Sequence, residues 1–80
     1  MDRDLAKHVL MVGFHSLALL EDLLPLLKGH CSEVEYKECV GAIARVTGHM
    51  SMDLFKIIFQ KYPDLEREIE EKINTYGKFI

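Results

Sequence analysis

The sequence predicts an all-α protein: a long antiparallel helical hairpin followed by a short third helix, two copies of which pair into a four-helix core. Three observations predict it. Apolar residues recur with 3-4 spacing over residues 33–61, they do so again over 3–28, and a short stretch with turn and capping chemistry separates the two runs.

The first helix is expected over 3–28. Asp2 or Asp4 suits its positive N-terminal end. Leu5, Val9, Val12, Ser16, Leu19, Leu23 and Leu27 make one 3-4 seam, while Leu10, Gly13, Phe14, Leu17 and Leu24 occupy a second apolar arc. A helix apolar over so much of its circumference is buried on more than one side. With one long helix available to cover it, the second arc is expected to meet another chain. The run Val9 to Leu27 also raises the question of a membrane span, but Glu21 and Asp22 lie inside it and Pro25 interrupts it. Pro25 lacks an amide and crowds the carbonyl four residues back, so it should kink or tighten the final turn.

Lys28-Gly29-His30-Cys31 reads as the turn, with Gly29 as the residue after the helix end. Ser32 followed by Glu35 is a capping box for the next helix. A connection this short joins antiparallel neighbours.

The second helix, 33–61, is the element the chain is organised around. Tyr36, Cys39, Val40, Ile43, Val46, Thr47, Met50, Leu54, Ile57 and Ile58 fall within an arc of about 120° at the helical repeat. A second flank carries Gly41, Ala44, Gly48, Phe55 and Phe59, small residues that allow close approach followed by rings that fill space. Gly48 leaves two readings open: a packing point in a continuous helix, or a turn splitting it into 33–47 and 51–61. Pro63 stops the helix near Tyr62. Asp64 then caps a third helix from Leu65 to about Tyr76, with a thin stripe of Leu65, Ile69, Ile73 and Tyr76, which docks as a lid over one end. Gly77 ends it, and Phe79 and Ile80 either tuck in or fray.

Eighty residues make one domain, 1–80, with a small core, and such chains usually need a staple or a second copy. The chain is 49% hydrophobic and 29% charged, which weighs against disorder. Its net charge of −3 carries no basic footprint for nucleic acid. Cys31, in the turn, and Cys39, on the seam, are too few and too close for a disulfide framework, and the start of the chain lacks the pattern of a signal peptide. The chain is therefore expected to be cytoplasmic.

Ile43-Ala44-Arg45-Val46-Thr47-Gly48-His49-Met50-Ser51 resembles the turn region of helix-turn-helix DNA-binding proteins, with an alanine four before a glycine and a serine starting the next helix. Two residues, His49 and Met50, separate the glycine from the serine where one is commoner. The resemblance implies a recognition helix at Met52 to Lys61. That stretch, MDLFKIIFQK, offers few polar groups for base edges, which weighs against it.

A second alternative is a metal site. His8, His15, His49 and Asp53 are its candidates, and a hairpin folded about residues 30 and 31 would set His8 level with Asp53. No CxxC, HExxH or Glu-x-x-His pattern accompanies them. The same histidines at an oligomer interface would weaken association between about pH 7 and 5.5 as they charge. No nucleophile, base and orienter assemble from these residues and no phosphate loop is present, so an enzyme is not expected and no cofactor is implied. The reading favoured is a small interaction module, an adaptor or regulator, that binds itself and another protein. Its expected dimer contact is Leu10, Phe14, Leu17, Gly41, Ala44, Gly48, Phe55 and Phe59.

Overall fold

The structure, a computed structural model, describes residues 1–77, so Phe79 and Ile80 lie outside the described residues. All regular structure among these residues is helical: α1 (Arg3–Glu21), α2 (Leu23–His30), α3 (Glu33–His49), a π turn (Met50–Phe55), α4 (Lys56–Lys61) and α5 (Pro63–Tyr76). They form three rods. The first is Arg3–His30, the second runs from α3 through the π turn to α4, and α5 is the third.

Local chemistry sets the ends. The Asp2 carboxylate accepts from the Leu5 amide at 2.8 Å and starts α1. The first rod breaks at Asp22, three residues before Pro25, whose missing amide would have met the Glu21 carbonyl. Gly29 does not end it. The helix runs on to His30, Gly29 keeps a negative φ, and the chain leaves through an extended Cys31. Ser32 and Glu35 then form the capping box, with reciprocal bonds of 3.0 and 3.2 Å. Asp64 does not cap α5; Pro63 occupies the first turn and the Asp64 carboxylate serves Arg3 instead. Gly77, at φ 77°, closes α5 in the left-handed conformation.

The second rod is helical throughout, and Gly48 is not a turn. The turn that a helix-turn-helix requires is therefore missing. What interrupts the α repeat lies further on, at Met50–Phe55, where the chain makes a π turn. A π turn inserts one residue and so rotates everything downstream by about 100° relative to a continuous α-helix. Phe55, which would lie about 140° from Met50, lands within about 40° of it. The inward side of the rod becomes Tyr36, Cys39, Val40, Ile43, Thr47 and Met50, continued by Phe55, Ile58, Phe59 and Tyr62. Phe55 and Ile58 are 3% and 0% exposed. Leu54 and Ile57, expected on the seam, are turned out instead, as is Val46.

The first rod is rotated relative to expectation as well. Its buried residues are Ala6 and, from the second arc, Leu10, Gly13 and Leu17. The seam that was to face the second helix leaves Leu5, Val12, Leu19 and Leu23 exposed. The core comprises Ala6, Leu10, Leu17, Phe55, Ile58, Leu65 and Ile69, where the first half of α1 meets the π turn, α4 and α5. Between Leu17 and Phe55 no residue is buried. The radius of gyration is 14.8 Å, against about 12 Å for a compact chain of this length. The narrowest extent is 16 Å, less than two helix diameters of about 10 Å.

Candidate interaction surface

The packed end is built around one glycine. A Cβ on Gly13 would stand 2.5 Å from Phe55 Cε1, so only glycine lets that ring approach α1 this closely. Phe55 stacks on Phe14 with ring centroids 4.6 Å apart and planes 14° apart, and Phe59 tilts against it at 6.3 Å. Phe14, Phe55 and Phe59 floor a groove of about 520 Å³, rimmed by Ser51, Lys56, Gln60 and Glu66.

α5 is clamped to this end by charge. Arg3 donates to Asp64 at 2.7 and 3.0 Å and to Glu68 at 3.1 Å, and Lys7 donates to Glu68 at 2.7 Å. The Tyr62 hydroxyl donates to the Met1 carbonyl at 2.5 Å. The Arg3 bond holds the Asp64 carboxyl below its ordinary range, the Lys7 bond does the same for Glu68, and Asp64 in turn raises Arg3. Glu35 is lowered by the Ser32 amide of its capping box. Below Leu65 and Ile69 the stripe of α5 runs out: Ile73 and Tyr76 are exposed.

Elsewhere along both rods, apolar side chains are exposed among the described residues. Leu19 is 69% exposed and Leu26 57%, and Leu5, Val12, Leu23, Val34 and Val46 are also exposed. Leu5, Val12, Leu19 and Leu26 stand seven residues apart, with Val9, Ser16 and Leu23 between them at the alternate spacing of a heptad repeat. The Ser16 hydroxyl donates to the Val12 carbonyl at 2.8 Å, so the one polar member of this stripe is satisfied within its own helix. On the second rod, Ala42, Arg45, Val46, His49, Met50, Asp53 and Leu54 line an open groove of about 680 Å³. By length and composition Arg3–His30 is one helix long enough and apolar enough to cross a membrane, with an 18-residue stretch of mean hydropathy 1.6; Glu21 and Asp22 lie within the helix.

The expected contact residues divide. Leu10, Leu17 and Phe55 are taken up by the chain's own core, and Phe14 and Phe59 are half-buried against it. The physical reason is the rotation of both rods: the face read as the outer flank is the inner one. Ala44 is exposed, and Gly41 and Gly48 are half-buried. No helix closes on either glycine, since an added Cβ at Gly48 would meet nothing within 4 Å and at Gly41 only the Arg45 guanidinium.

Of the metal candidates, His49 Nδ1 lies 3.7 Å from Asp53 Oδ2, both side chains well exposed. His8 and His15 are exposed on α1. Among the described residues no group of three or more His, Cys, Asp or Glu side chains stands together as a metal site would need. Cys31 and Cys39 are both free and both half-buried.

Sequence reasoning passed over Gly13 as a site residue and assigned the Leu5 stripe to the interior. Signals for both exist. A glycine flanked by apolar residues in mid-helix marks close approach, and a strict heptad marks a partner helix. No protein-family model matches the chain, and no curated protein or solved structure matches it either.

Proposed function

We propose that this protein is a small helical interaction module that works as a homodimer, an adaptor or regulator whose surface serves other proteins. In this reading the first two rods are an antiparallel hairpin. Support comes from Gly13 lying against Met50 and Phe55, Met1 bonding Tyr62, and a two-residue link at Cys31 and Ser32. Two hairpins then pair into a four-helix core.

The observation that carries the proposal is the stretch between Leu17 and Phe55, residues 18–54. It supplies α2 and α3, contains no buried residue, and exposes Leu19, Leu23, Leu26, Val34 and Val46. A solvated helix pair with that much apolar surface gains by covering it, at ~25 cal/mol for each Å² removed from water. A symmetric pair is the commonest way for a small chain to do so.

Sedimentation equilibrium across a hundredfold range of concentration tests it. A stable dimer, indifferent to chelator, is the expected result. A compact monomer at every concentration would overturn the proposal.

A further inference from the structure

The pairing proposed above leaves open which faces meet and in what register, and the geometry bears on both. Viewed down α1 from its N-terminus, the stripe of Leu5, Val9, Val12, Leu19 and Leu23 lies about 115° anticlockwise of the buried Ala6, Leu10, Gly13 and Leu17. On the second rod, viewed from its own N-terminus, Ala42, Val46 and the rest of the open groove lie about 120° anticlockwise of the inward Tyr36, Ile43 and Thr47. For two antiparallel neighbours the same rotation, seen from opposite ends, brings both stripes to one face of the layer. α5 is clamped on the opposite side, through Arg3 and Lys7, which lie clockwise of the α1 core. One face is closed by α5 and the other is open.

We infer that the open face binds a second copy of this chain about a twofold axis perpendicular to the helices, so that α1 packs antiparallel on α1. This rests on the homodimer reading and adds the face and the register. On the heptad, one register places Leu5 against Leu23 of the second copy, Val9 against Leu19, and Val12 against Ser16, whose hydroxyl is already bonded. The flanking positions then set His8 against Asp22 of the second copy, twice per dimer, and His15 against its own copy at the axis. An imidazole N–H donates to a carboxylate in either protonation state. Sliding the pair by one heptad sets Leu5 against His30 and His8 against Gly29 in one direction, and in the other sets Leu5 against Ser16 and leaves Leu23 with nothing opposite.

The second rod is compatible with the same axis. Its groove residues are self-complementary about the level of Gly48, with Ala42 opposite Leu54 and Val46 opposite Met50. The α1 register is centred on Phe14. Gly13 faces both Phe55 and Met50, which places that centre between about one and six residues of rise, ~1.5–9 Å, from the Gly48 level. The area also fits. A face from Leu5 to Leu26, ~32 Å long and two helices or ~20 Å wide, projects about 640 Å² before side-chain relief, near the ~800 Å² per partner of a stable interface.

Charge reversal tests the register. His8 and Asp22 are both exposed, Asp22 makes no capping bond, and on one helix they stand ~21 Å apart, beyond any contact within the chain. Sedimentation equilibrium at pH 8 and low salt would compare the natural chain with His8→Glu, Asp22→Lys and the double variant, helicity being checked by circular dichroism. His8→Glu sets two carboxylates together at two places and is expected to weaken the dimer at least about tenfold, as like charges across an interface do. The double variant should recover to within about threefold of the natural chain. A dimer that ignores His8→Glu, or a double variant that recovers nothing, overturns the register and leaves the homodimer standing. A natural chain that stays monomeric overturns both. Should that monomer float with vesicles of phosphatidylcholine and phosphatidylserine, the face belongs to lipid.

Discussion

The two ends of this molecule use similar helices and differ in what covers them. At one end α1 has α4 and α5 around it, and Leu10, Phe55, Ile58 and Leu65 reach 0–3% exposure. At the other end α2 packs on α3, which also meets α1, and neither α2 nor α3 buries a residue. The leucine content does not explain the contrast, because α2 is as rich in leucine as α1. A third element explains it: a helix pair shields the line of contact between its members, and only an additional layer closes a core. Among the described residues the chain supplies that layer once, as α5.

The sharpest way to separate the two ends is to remove one large side chain from each. Phe55→Ala should cost about 3–5 kcal/mol, the range for a buried aromatic. Leu19→Ala should cost under about 0.5 kcal/mol in dilute solution, where any second copy is dissociated. Urea unfolding at low protein concentration checks both, and similar losses would erase the distinction.

Glycines give the next contrast, with opposite signs. Gly13→Ala drives a methyl into the Phe55 ring and should cost about 1–3 kcal/mol as overpacking does, less the gain in helix propensity. Gly48→Ala meets nothing within 4 Å and should stabilise by up to ~1 kcal/mol. A stabilising Gly13→Ala would mean that the ring does not rest on α1.

Amide exchange sharpens the comparison further. Amides of α2 and of the first half of α3 should open at lower free energy than those of Ala6 to Leu17. Raising the protein concentration should slow α2 and α3 selectively, and equal protection at all concentrations would count against a covering partner.

The smallest effect concerns the α5 clamp. Asp64 and Glu68 are held below their ordinary values of 3.8 and 4.5, so their contribution is complete above those values. It is lost as the pH falls through the lower values they have in the folded chain. The melting temperature should therefore decline below about pH 4.5, and Arg3→Ala should flatten that decline. Exposed ion pairs contribute little, so the change will be small.

Much of the local structure was legible because it depends on neighbours in sequence. The Ser32–Glu35 capping box, the interruption at Pro25 and the left-handed Gly77 follow from groups within a few residues of one another. Gly29 misled because a glycine near a helix end is permitted, not obliged, to adopt positive φ. The candidate surface was much less legible. Both apolar arcs of α1 read alike on a wheel, and the choice between them turned on Gly13 accepting the Phe55 ring. That contact links residues 42 positions apart, and no periodicity within either helix reports it.

The sequence by itself determined that the chain is helical and where some of its helices begin or end, at the Ser32–Glu35 capping box and at Gly77. Periodicity and capping are short-range, so a linear reading reaches them. Tertiary structure alone decided which face turns inward. The π turn at Met50–Phe55 rotates the end of the second rod by about 100°, exchanging Leu54 and Ile57 for Phe55 and Phe59. A shift of one residue in phase is invisible to a wheel drawn on the α repeat, because what it satisfies is packing against another part of the chain.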